Sequence, residues 1–283
     1  MGLIDRDDGW RMPDWLWEKI APLLPLPPPH PLGTHRRRIP DRQVMNAILL
    51  VLRTGMQWNA LRATGICNSS SAHRRFQEWE RAGVFHEIWR QGLLDYDEVV
   101  GIDWSWLAAD GAMTKAPLGG SATGPNPTDR GKKGRNVRFS ARRQGVPIGL
   151  ACDGEGRHDQ PLLAPTLNSI PLERPTPTAA RPQRLCLDRG YDSSPMRELA
   201  VLHGYTPHIR TRGEEIALKL HVPGWRARRW VVEAAHSWLN RNRALLVRWS
   251  KKAENHLALL QLASGLIAFK KAHAARLAAA LQG

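Results

Sequence analysis

Cysteine is scarce in this sequence of 283 residues, with only Cys67, Cys152 and Cys186, which lie far apart. An odd count without a CxxC pair argues against a disulfide framework and against a zinc cluster. Long apolar runs are also missing, since no stretch approaches the ~18 uncharged apolar residues of a membrane span. The first ten residues are acidic and have no apolar segment, so we expect no secretory signal there. We therefore expect a soluble protein of a reducing compartment.

Acidic residues are also few compared with basic ones. Asp and Glu number 26 against 41 Lys and Arg, which gives a net charge of +15 with neutral His. Such an excess concentrates phosphate groups at the surface and drives counterion release. It predicts a polyanionic partner, most simply nucleic acid. Hydrophobic residues make up 42% of the chain, which is enough for a full core.

The first part of the chain is rich in tryptophan and has a helical pattern. A proline-rich run at residues 22–31 predicts an extended connector, and a basic arm follows it. From Asp41, with Asp41 as N-cap, apolar residues recur at helical spacing until Gly55. Two more helices are predicted at residues 72–82 and 85–94, the first one capped by the preceding serines. We therefore predict an all-helical N-terminal domain over residues 1–95.

The helix at 72–82 is predicted to hold Phe76 and Trp79 inward and His73, Arg74 and Arg75 outward. A turn followed by a helix with basic residues in its first turn resembles a helix-turn-helix, which binds DNA. The alternative is a plain helical bundle with a solvated basic face. This segment alone slightly favours the bundle.

Beyond residue 95 the pattern changes to alternating strands and helices. Strands are predicted at residues 98–109, 136–143, 146–152, 184–187 and 206–210. Helices are predicted at residues 161–167, 195–203, 228–249 and 253–281. Three antiparallel strands followed by alternating helices and strands indicate an α/β fold over residues 96–283, a mixed sheet with helices on both faces.

Three acidic residues stand where catalytic acids would: Asp110 after a predicted strand, Asp188 at the end of a short apolar strand, and Glu233 in an arginine-rich helix. Only a fold can bring such distant residues together. Carboxylates suit hard divalent cations, and a pair of Mg²⁺ ions can promote phosphoryl transfer. Taken singly, each acid is better explained structurally, as a turn cap, a loop cap or a partner of Arg229. Taken together, they leave the two interpretations about even.

Family-specific motifs surround these acids. The first is Asp110-Gly-Ala-Met-Thr-Lys-Ala with Gly119-Gly120 and Thr123-Gly-Pro-Asn-Pro-Thr-Asp-Arg-Gly-Lys132. The second is Leu187-Asp188-Arg-Gly-Tyr191-Asp192, and the third is Arg229-Trp-Val-Val-Glu233 followed by His236-Ser-Trp-Leu239. In order and context they resemble the catalytic blocks of DDE transposases from bacterial insertion sequences of the IS-five type. Thr54-Gly-Met-Gln-Trp58 and the residues around Phe76 are similar to the DNA-binding region of that family.

The resemblance implies a ribonuclease H-like catalytic core preceded by the helical DNA-binding domain. It implies that Asp110, Asp188 and Glu233 form the DDE triad and bind two Mg²⁺ ions, for which Mn²⁺ can substitute. Asp103 is a competing first acid, because Ile102-Asp103-Trp104-Ser105 is also similar to the family. We prefer Asp110, since it begins the block that continues into Lys115 and Gly119-Gly120.

The implied activity is that of a transposase on double-stranded DNA. It would bind the terminal inverted repeats of its element, cleave a strand, and transfer the freed 3′-hydroxyl to target DNA, acting as a homodimer at the bacterial nucleoid in the cytoplasm. The alternatives are a metal-dependent nuclease or resolvase on the same fold and a transposase-derived DNA-binding regulator. The candidate DNA contacts are basic or imidazole side chains: Arg36, Arg37, Arg38, His73, Arg74, Arg75, Arg130, Lys132, Lys133, Arg135, Arg229, Arg241 and Arg243.

Overall fold

The computed structural model describes residues 10–27, 38–125, 133–141, 145–154, 160–210, 212–221 and 230–282. Its N-terminal part is helical, as expected. The helices there are α1 (Asp14–Ile20), α2 (Asp41–Thr54), α3 (Leu61–Thr64), α4 (Ser69–Arg81) and α5 (Val84–Val100).

The ends of these helices follow from local chemistry. Helix α2 stops at Gly55, which has the left-handed φ of 69° that a glycine adopts at low cost. Helix α4 is capped by Asn68, whose side chain accepts from the Ser70 amide at 3.2 Å. The predicted caps were therefore wrong in detail, because Asp41 lies in the first turn of α2 and serines 69–71 lie inside α4.

Helix α5 runs six residues past the predicted end and replaces the start of the predicted strand at 98–109. It ends where the Gly101 amide donates to the Asp97 carbonyl at 2.9 Å and the Ile102 amide donates to the Asp97 carboxylate at 2.6 Å. The predicted boundary between residues 95 and 96 thus lies within a continuous helix. The division into two domains stays a prediction.

Within the described residues, six strands form one sheet: β1 (Trp106–Lys115), β2 (Gly124–Pro125), β3 (Lys133–Ala141), β4 (Pro147–Gly154), β5 (Arg184–Leu187) and β6 (Thr206–Ile209). Strands β1, β3 and β4 pair antiparallel, whereas β5 pairs parallel to β1 and to β6. The order β4-β3-β1-β5-β6, with β2 on the start of β3, is the ribonuclease H-like arrangement that the resemblance implies. The predicted fold class is confirmed.

The remaining helices are α6 (Leu163–Asn168), α7 (Ser194–Leu202), α8 (Arg212–His221), α9 (Trp230–Asn240) and α10 (Ala253–Ala280). The prediction missed α8 and carried the helix at 228–249 too far. Beyond Asn240 the chain passes through a turn and a short 3-10 helix (Arg243–Leu245). Val247 then bridges Lys115 at the end of β1, and the Arg248 amide donates to the Lys115 carbonyl at 2.8 Å. The chain around Val247, which helical periodicity predicted to be helix, thus pairs with the end of β1.

Helices cover both faces of the sheet. On one face, Ala108 of β1 and Cys186 of β5 pack against Val231, Val232 and Ala235 of α9. The alternate strand residues, such as Leu107 and Leu185, belong to the main core, which continues into α5 and α10. Because side chains alternate along a strand, the two sets lie on opposite faces.

Helices α5 and α10 make the most extensive helix contact in the described part of the chain. A Cβ on Gly92 would lie 2.7 Å from the Gly265 carbonyl oxygen, and one on Gly265 would lie 2.9 Å from the Ile88 carbonyl oxygen. Glycine at both positions therefore lets the backbones approach. The Trp89 indole also donates to the Pro147 carbonyl at 3.0 Å, which ties α5 to the start of β4.

Candidate active site

The register between β1 and β5 brings two of the three predicted acids to neighbouring positions. Its last pair joins Ala108 to Cys186, and two residues further along each strand are Asp110 and Asp188. Asp188 keeps an extended backbone, with φ −76° and ψ 171°. Residues two apart along a strand share a face, so both acids lie on the face that α9 covers. Adjacent strands are ~4.8 Å apart, which sets the spacing of the two backbones.

Asp110 lies in the middle of β1, not after the strand as predicted. Its carboxylate accepts from the Gly111 amide at 2.8 Å. The neighbouring Ala108 is held by α9, and β3 pairs antiparallel along the other edge of β1, with Asp110 opposite Phe139. Asp110 thus stands on a strand that is paired on both sides, which holds its backbone in place.

Glu233 faces the same region from α9. Helix α9 buries Val232, Ala235 and Leu239 toward the protein. The residues between them, Glu233, His236, Ser237 and Asn240, recur at helical spacing and line an open cleft of 590 Å³ together with Asp110, Gly111, Ala112 and Arg241. Asp110 and Glu233 therefore border one cleft.

His236 lies between these two carboxylates. Burial lowers the pKa of its imidazole, while the charges of Asp110 and Glu233 act in the opposite direction and do not restore it. The ring is therefore neutral at neutral pH. The sequence analysis did not assign His236 a role, although its position three residues after Glu233 predicts the same helix face.

Asp188 is not among the described residues that border the cleft. Its Oδ1 atom lies 3.1 Å from the position that a Cβ on Gly190 would take, so the carboxylate lies over the turn that follows β5. As the side chains are arranged, the described residues contain no group of three His, Cys, Asp or Glu close enough to hold one metal ion. The role of the three acids as metal ligands stays a prediction.

Asp103 occupies a different place. It lies in the turn before β1 and accepts hydrogen bonds from the Ser105 amide, at 3.0 Å, and from the Ser105 hydroxyl. That turn is at the start of β1, where Trp106 pairs with Arg184 at the start of β5. Asp188 is at the other end of β5, so Asp103 is at the opposite end of the strand pair from Asp188. This geometry favours Asp110 as the partner of Asp188.

Arg210 is a further cationic residue that the sequence analysis did not single out. Leu187 of β5 pairs with Ile209 of β6, so one residue further along each chain Arg210 stands beside Asp188. The Arg210 Nε donates to His208 at 3.1 Å. Only the strand register, which the sequence alone does not provide, brings Arg210 beside Asp188.

The predicted DNA contacts differ in their surroundings. Arg75 was predicted to point outward, which is wrong: it is 5% exposed and pairs with Asp41 and with Glu78. Its charge is used within the protein because α4 packs this side chain against α2. Arg38 also pairs with Glu78, at 2.6 Å.

The other predicted contacts lie on several elements or outside the described residues. Arg74, Arg241 and Arg243 are exposed, and Arg241 lies over the Trp238 ring at 4.6 Å from the centroid. His73 is half-buried. Lys133 and Arg135 are on β3, beside β1. Outside the described residues lie Arg36, Arg37, Arg130, Lys132 and Arg229.

Within the described residues, no helix combines the length and the apolar character that crossing a membrane would take.

Two family models match separate parts of the chain. The model described as "Putative transposase of IS4/5 family" matches residues 12–89. The model described as "Transposase DDE domain" matches residues 185–270, which include Asp188 and Glu233.

Curated relatives come from one bacterium, Burkholderia cepacia. A protein described as "Putative transposase for insertion sequence element IS402" is 35% identical over 147 residues, which cover 51% of this chain and 67% of the relative. A protein described as "Insertion element IS402 uncharacterized 16.2 kDa protein" is 35% identical over 119 residues, which cover 40% of this chain and 79% of the relative.

Among solved structures, similarity is found to a pre-cleavage Mos1 transpososome, with 11% identity and a TM-score of 0.26 over 87% of this chain and 82% of that chain. The Mos1 strand transfer complex has 12% identity and a TM-score of 0.26 over 87% of this chain and 81% of that chain. Both TM-scores are low.

Proposed function

Because the chain belongs to the IS4/5 family of transposases and carries a DDE transposase domain, an enzyme domain that acts on DNA, we propose that it mobilises its own insertion sequence. It binds the terminal inverted repeats, cleaves a strand at the element's end, and joins the freed 3′-hydroxyl to target DNA. The observation that carries the proposal is that Asp110 and Glu233 border one cleft while Asp188 stands beside Asp110 in the strand register.

Enzymes of the DDE class use divalent metal ions, and the donor set of this site fits them. One carboxylate on β1, one directly after β5 and one on α9 offer the oxygen ligands that Mg²⁺ and Mn²⁺ prefer. We propose that Asp110, Asp188 and Glu233 hold two such ions, with Asp188 turning from its position over Gly190 toward the cleft. When bound, the ions activate the attacking oxygen and stabilise the leaving oxygen of an in-line displacement.

The protein's own residues then have distinct tasks. The paired strand β1 and the buried face of α9 hold the acids on rigid elements, which a site of this kind requires. Arg241, exposed at the rim of the cleft, is placed to contact a DNA phosphate. None of these steps needs a covalent bond between protein and DNA.

The reaction joins two ends of one element, so by symmetry we propose that the active complex is a homodimer. We also propose that it works where the element's DNA is, at the bacterial nucleoid in the cytoplasm.

The test is end cleavage and joining by the purified protein, supplied with terminal-repeat DNA, a target plasmid and Mg²⁺. Asp110→Asn, Asp188→Asn and Glu233→Gln should each abolish cleavage and leave binding of the repeat unchanged. Asp103→Asn is the matched control, and it should cleave like the original protein.

Other results would change the proposal. Loss of cleavage in Asp103→Asn but not in Asp110→Asn would show that Asp103, and not Asp110, is the first acid of the triad. Cleaved ends that never join the plasmid would favour a nuclease or resolvase. Repeat binding without any cleavage would favour a regulator derived from a transposase.

A further inference from the structure

A second cleft, of 1060 Å³, lies between the N-terminal helices and the segment that leads into α10. We call it the Trp249 groove. One wall comes from the turn after α2 and the start of α4, including Trp58 and His73. The other wall comes from the chain around Trp249 and Lys252, and Leu118 borders it from the loop after β1. None of these groups belongs to the acidic cleft.

The groove is lined by packed aromatic rings and by exposed apolar side chains. Trp58 packs against Phe76 at 5.2 Å and against His73 at 5.0 Å between ring centroids. Trp249 is 55% exposed and Leu118 is 54% exposed. A large ring left open to solvent beside a groove is a platform on which a nucleic-acid base can stack.

The charge of the groove is of one sign. Among the described residues that line it none is Asp or Glu, although the chain has 26 acidic residues. Lys251 and Lys252 are exposed at the rim. The other polar groups are amides and hydroxyls, such as those of Gln57 and Ser70, and the imidazoles of His73 and His256. This lining is complementary to a chain of phosphates that carries flat rings.

The wall that carries Trp249 is held in place. Arg248 is fully buried and donates to the carbonyls of Ser250 at 2.8 Å, Lys251 at 2.6 Å and Ala122 at 3.3 Å. The Ser121 amide donates to the same Lys251 carbonyl at 2.9 Å. Because these hydrogen bonds already hold this wall in one conformation, it loses little conformational entropy when a ligand binds.

The groove and the acidic cleft are connected through β1 and the chain after α9. Asn240 and Arg241 line the cleft, while Ala244 lines the groove. From Asp110 the strand leads to Lys115, whose carbonyl accepts from the Arg248 amide. At ~3.3 Å per residue this part of the strand spans about 17 Å. A stacked strand with ~3.4 Å per nucleotide covers that length in about five nucleotides.

We propose that the Trp249 groove binds single-stranded DNA, with a base stacked on Trp249 and phosphates on Lys251 and Lys252, about five nucleotides from the phosphate at the acidic cleft. The proposal rests on the proposed function, since the strand freed at the cleaved end is the source of this DNA. A duplex does not expose a base face for stacking, so the open tryptophan favours a single strand.

The first test measures the affinity of the full-length protein for a fluorescein-labelled oligothymidylate by anisotropy, without divalent metal. Stacking on an aromatic side chain is worth enough that Trp249→Ala should weaken binding about tenfold. Trp249→Phe, which keeps a ring, should stay within about threefold of the original affinity. Circular dichroism checks that both variants are folded.

The contribution of the two lysine charges to single-strand binding is tested with the double variant Lys251→Gln/Lys252→Gln. Two lost phosphate contacts should reduce the salt slope of single-strand binding by about 1.4. The matched control is Arg181→Gln, which removes an exposed charge from the loop before β5 and should leave the slope unchanged. An unchanged slope in the lysine variant, or unchanged affinity in Trp249→Ala, overturns the proposal.

The position of Trp249 along the bound strand is tested on the unaltered protein by photo-crosslinking. Terminal-repeat oligonucleotides carry 5-iodouracil at single positions in the overhanging strand, and the crosslinked peptide is identified by mass spectrometry. We expect crosslinks to Trp249 from about five nucleotides beyond the cleavage point. Crosslinks to Trp249 from fully duplex DNA alone would overturn the single-strand assignment.

The two proposals can fail separately. Asp188→Asn should bind oligothymidylate like the original protein. If it does while the original protein shows no metal-dependent cleavage of terminal-repeat DNA, the proposed function fails and the groove proposal stands. If cleavage occurs while Trp249→Ala binds single strands normally, the groove proposal fails alone.

Discussion

At the scale of single residues, the position of the Asp188 carboxylate depends on a neighbour without a side chain. A Cβ on Gly190 would lie 3.1 Å from Asp188 Oδ1, a distance at which one of the two groups must shift. The backbone of Gly190 is not in the left-handed region, so alanine can adopt it without strain. Glycine at position 190 therefore leaves room for the Asp188 carboxylate, and the backbone conformation of the turn does not require it.

We expect Gly190→Ala to lower the Mg²⁺ concentration for half-maximal end cleavage about threefold, because the added Cβ crowds the position of the Asp188 carboxylate over the turn and favours the position turned toward the cleft. Repeat binding and the melting temperature should not change. The matched control is Gly213→Ala on α8, where an added Cβ has no atom within 4 Å. An equal Mg²⁺ requirement for cleavage in the two variants would show that the room around Asp188 has no role.

At the scale of secondary-structure elements, one buried carboxylate joins three helices. Asp95 of α5 is 9% exposed and contacts Lys19 of α1 at 2.6 Å and Arg276 of α10 at 2.8 Å. Burial raises the pKa of Asp95, but hydrogen bonds from Arg276 and Lys19 outweigh it, so the pKa lies below its ordinary value. The ionised form is therefore favoured in the folded protein.

Asp95→Asn should lower the free energy of unfolding by about 2 kcal/mol at pH 7, since it leaves two cations without their shared carboxylate. The contribution of Asp95 is present above the unfolded-state pKa of ~3.9 and is lost as pH falls through the lower folded-state pKa. The difference between Asp95→Asn and the original protein should therefore shrink in strong acid. Urea unfolding at several pH values measures it.

Asp14→Asn is the control for this experiment. Asp14 pairs with Arg42, but its side chain is 79% exposed, and exposed pairs contribute at most about 1 kcal/mol. Equal stability of Asp95→Asn and Asp14→Asn at pH 7 would contradict a structural role for the buried carboxylate.

At the scale of the whole molecule, the helices near the N-terminus and the helix at the other end share one core. The main hydrophobic cluster extends from Met12 to Ala272. Helix α10 packs on α5 through the paired glycines Gly92 and Gly265. A boundary near residue 95 therefore cuts through a packed interface, whatever part of the chain contacts DNA.

We expect the full chain to unfold in a single cooperative transition. A fragment of residues 96–283 should lack such a transition and bind a hydrophobic dye, because α10 loses the face of α5 that buries it. Calorimetry and denaturant unfolding followed by circular dichroism test this. Cooperative unfolding of the fragment would instead support two independent domains.

The sequence by itself determined the fold class, the short strand β5 and the identity of the acidic candidates. Strand alternation, helical spacing and the motifs around Asp188 and Glu233 are local patterns. Such patterns can be recognised from the order of residues alone. The helix face of Glu233, His236 and Asn240 could also be predicted, because helical geometry alone determines it.

Only the tertiary structure decided which of these residues meet. The strand register brings Asp110 beside Asp188 and Arg210 beside Asp188 on its other side, and separates Asp103 from them. Packing between α2 and α4 buries Arg75, which the helical pattern had assigned to the surface. The predicted helix ends at Asn240, and the chain that follows it pairs with Lys115 and continues into one wall of the Trp249 groove. These outcomes depend on contacts between residues far apart in the sequence, which no local pattern contains.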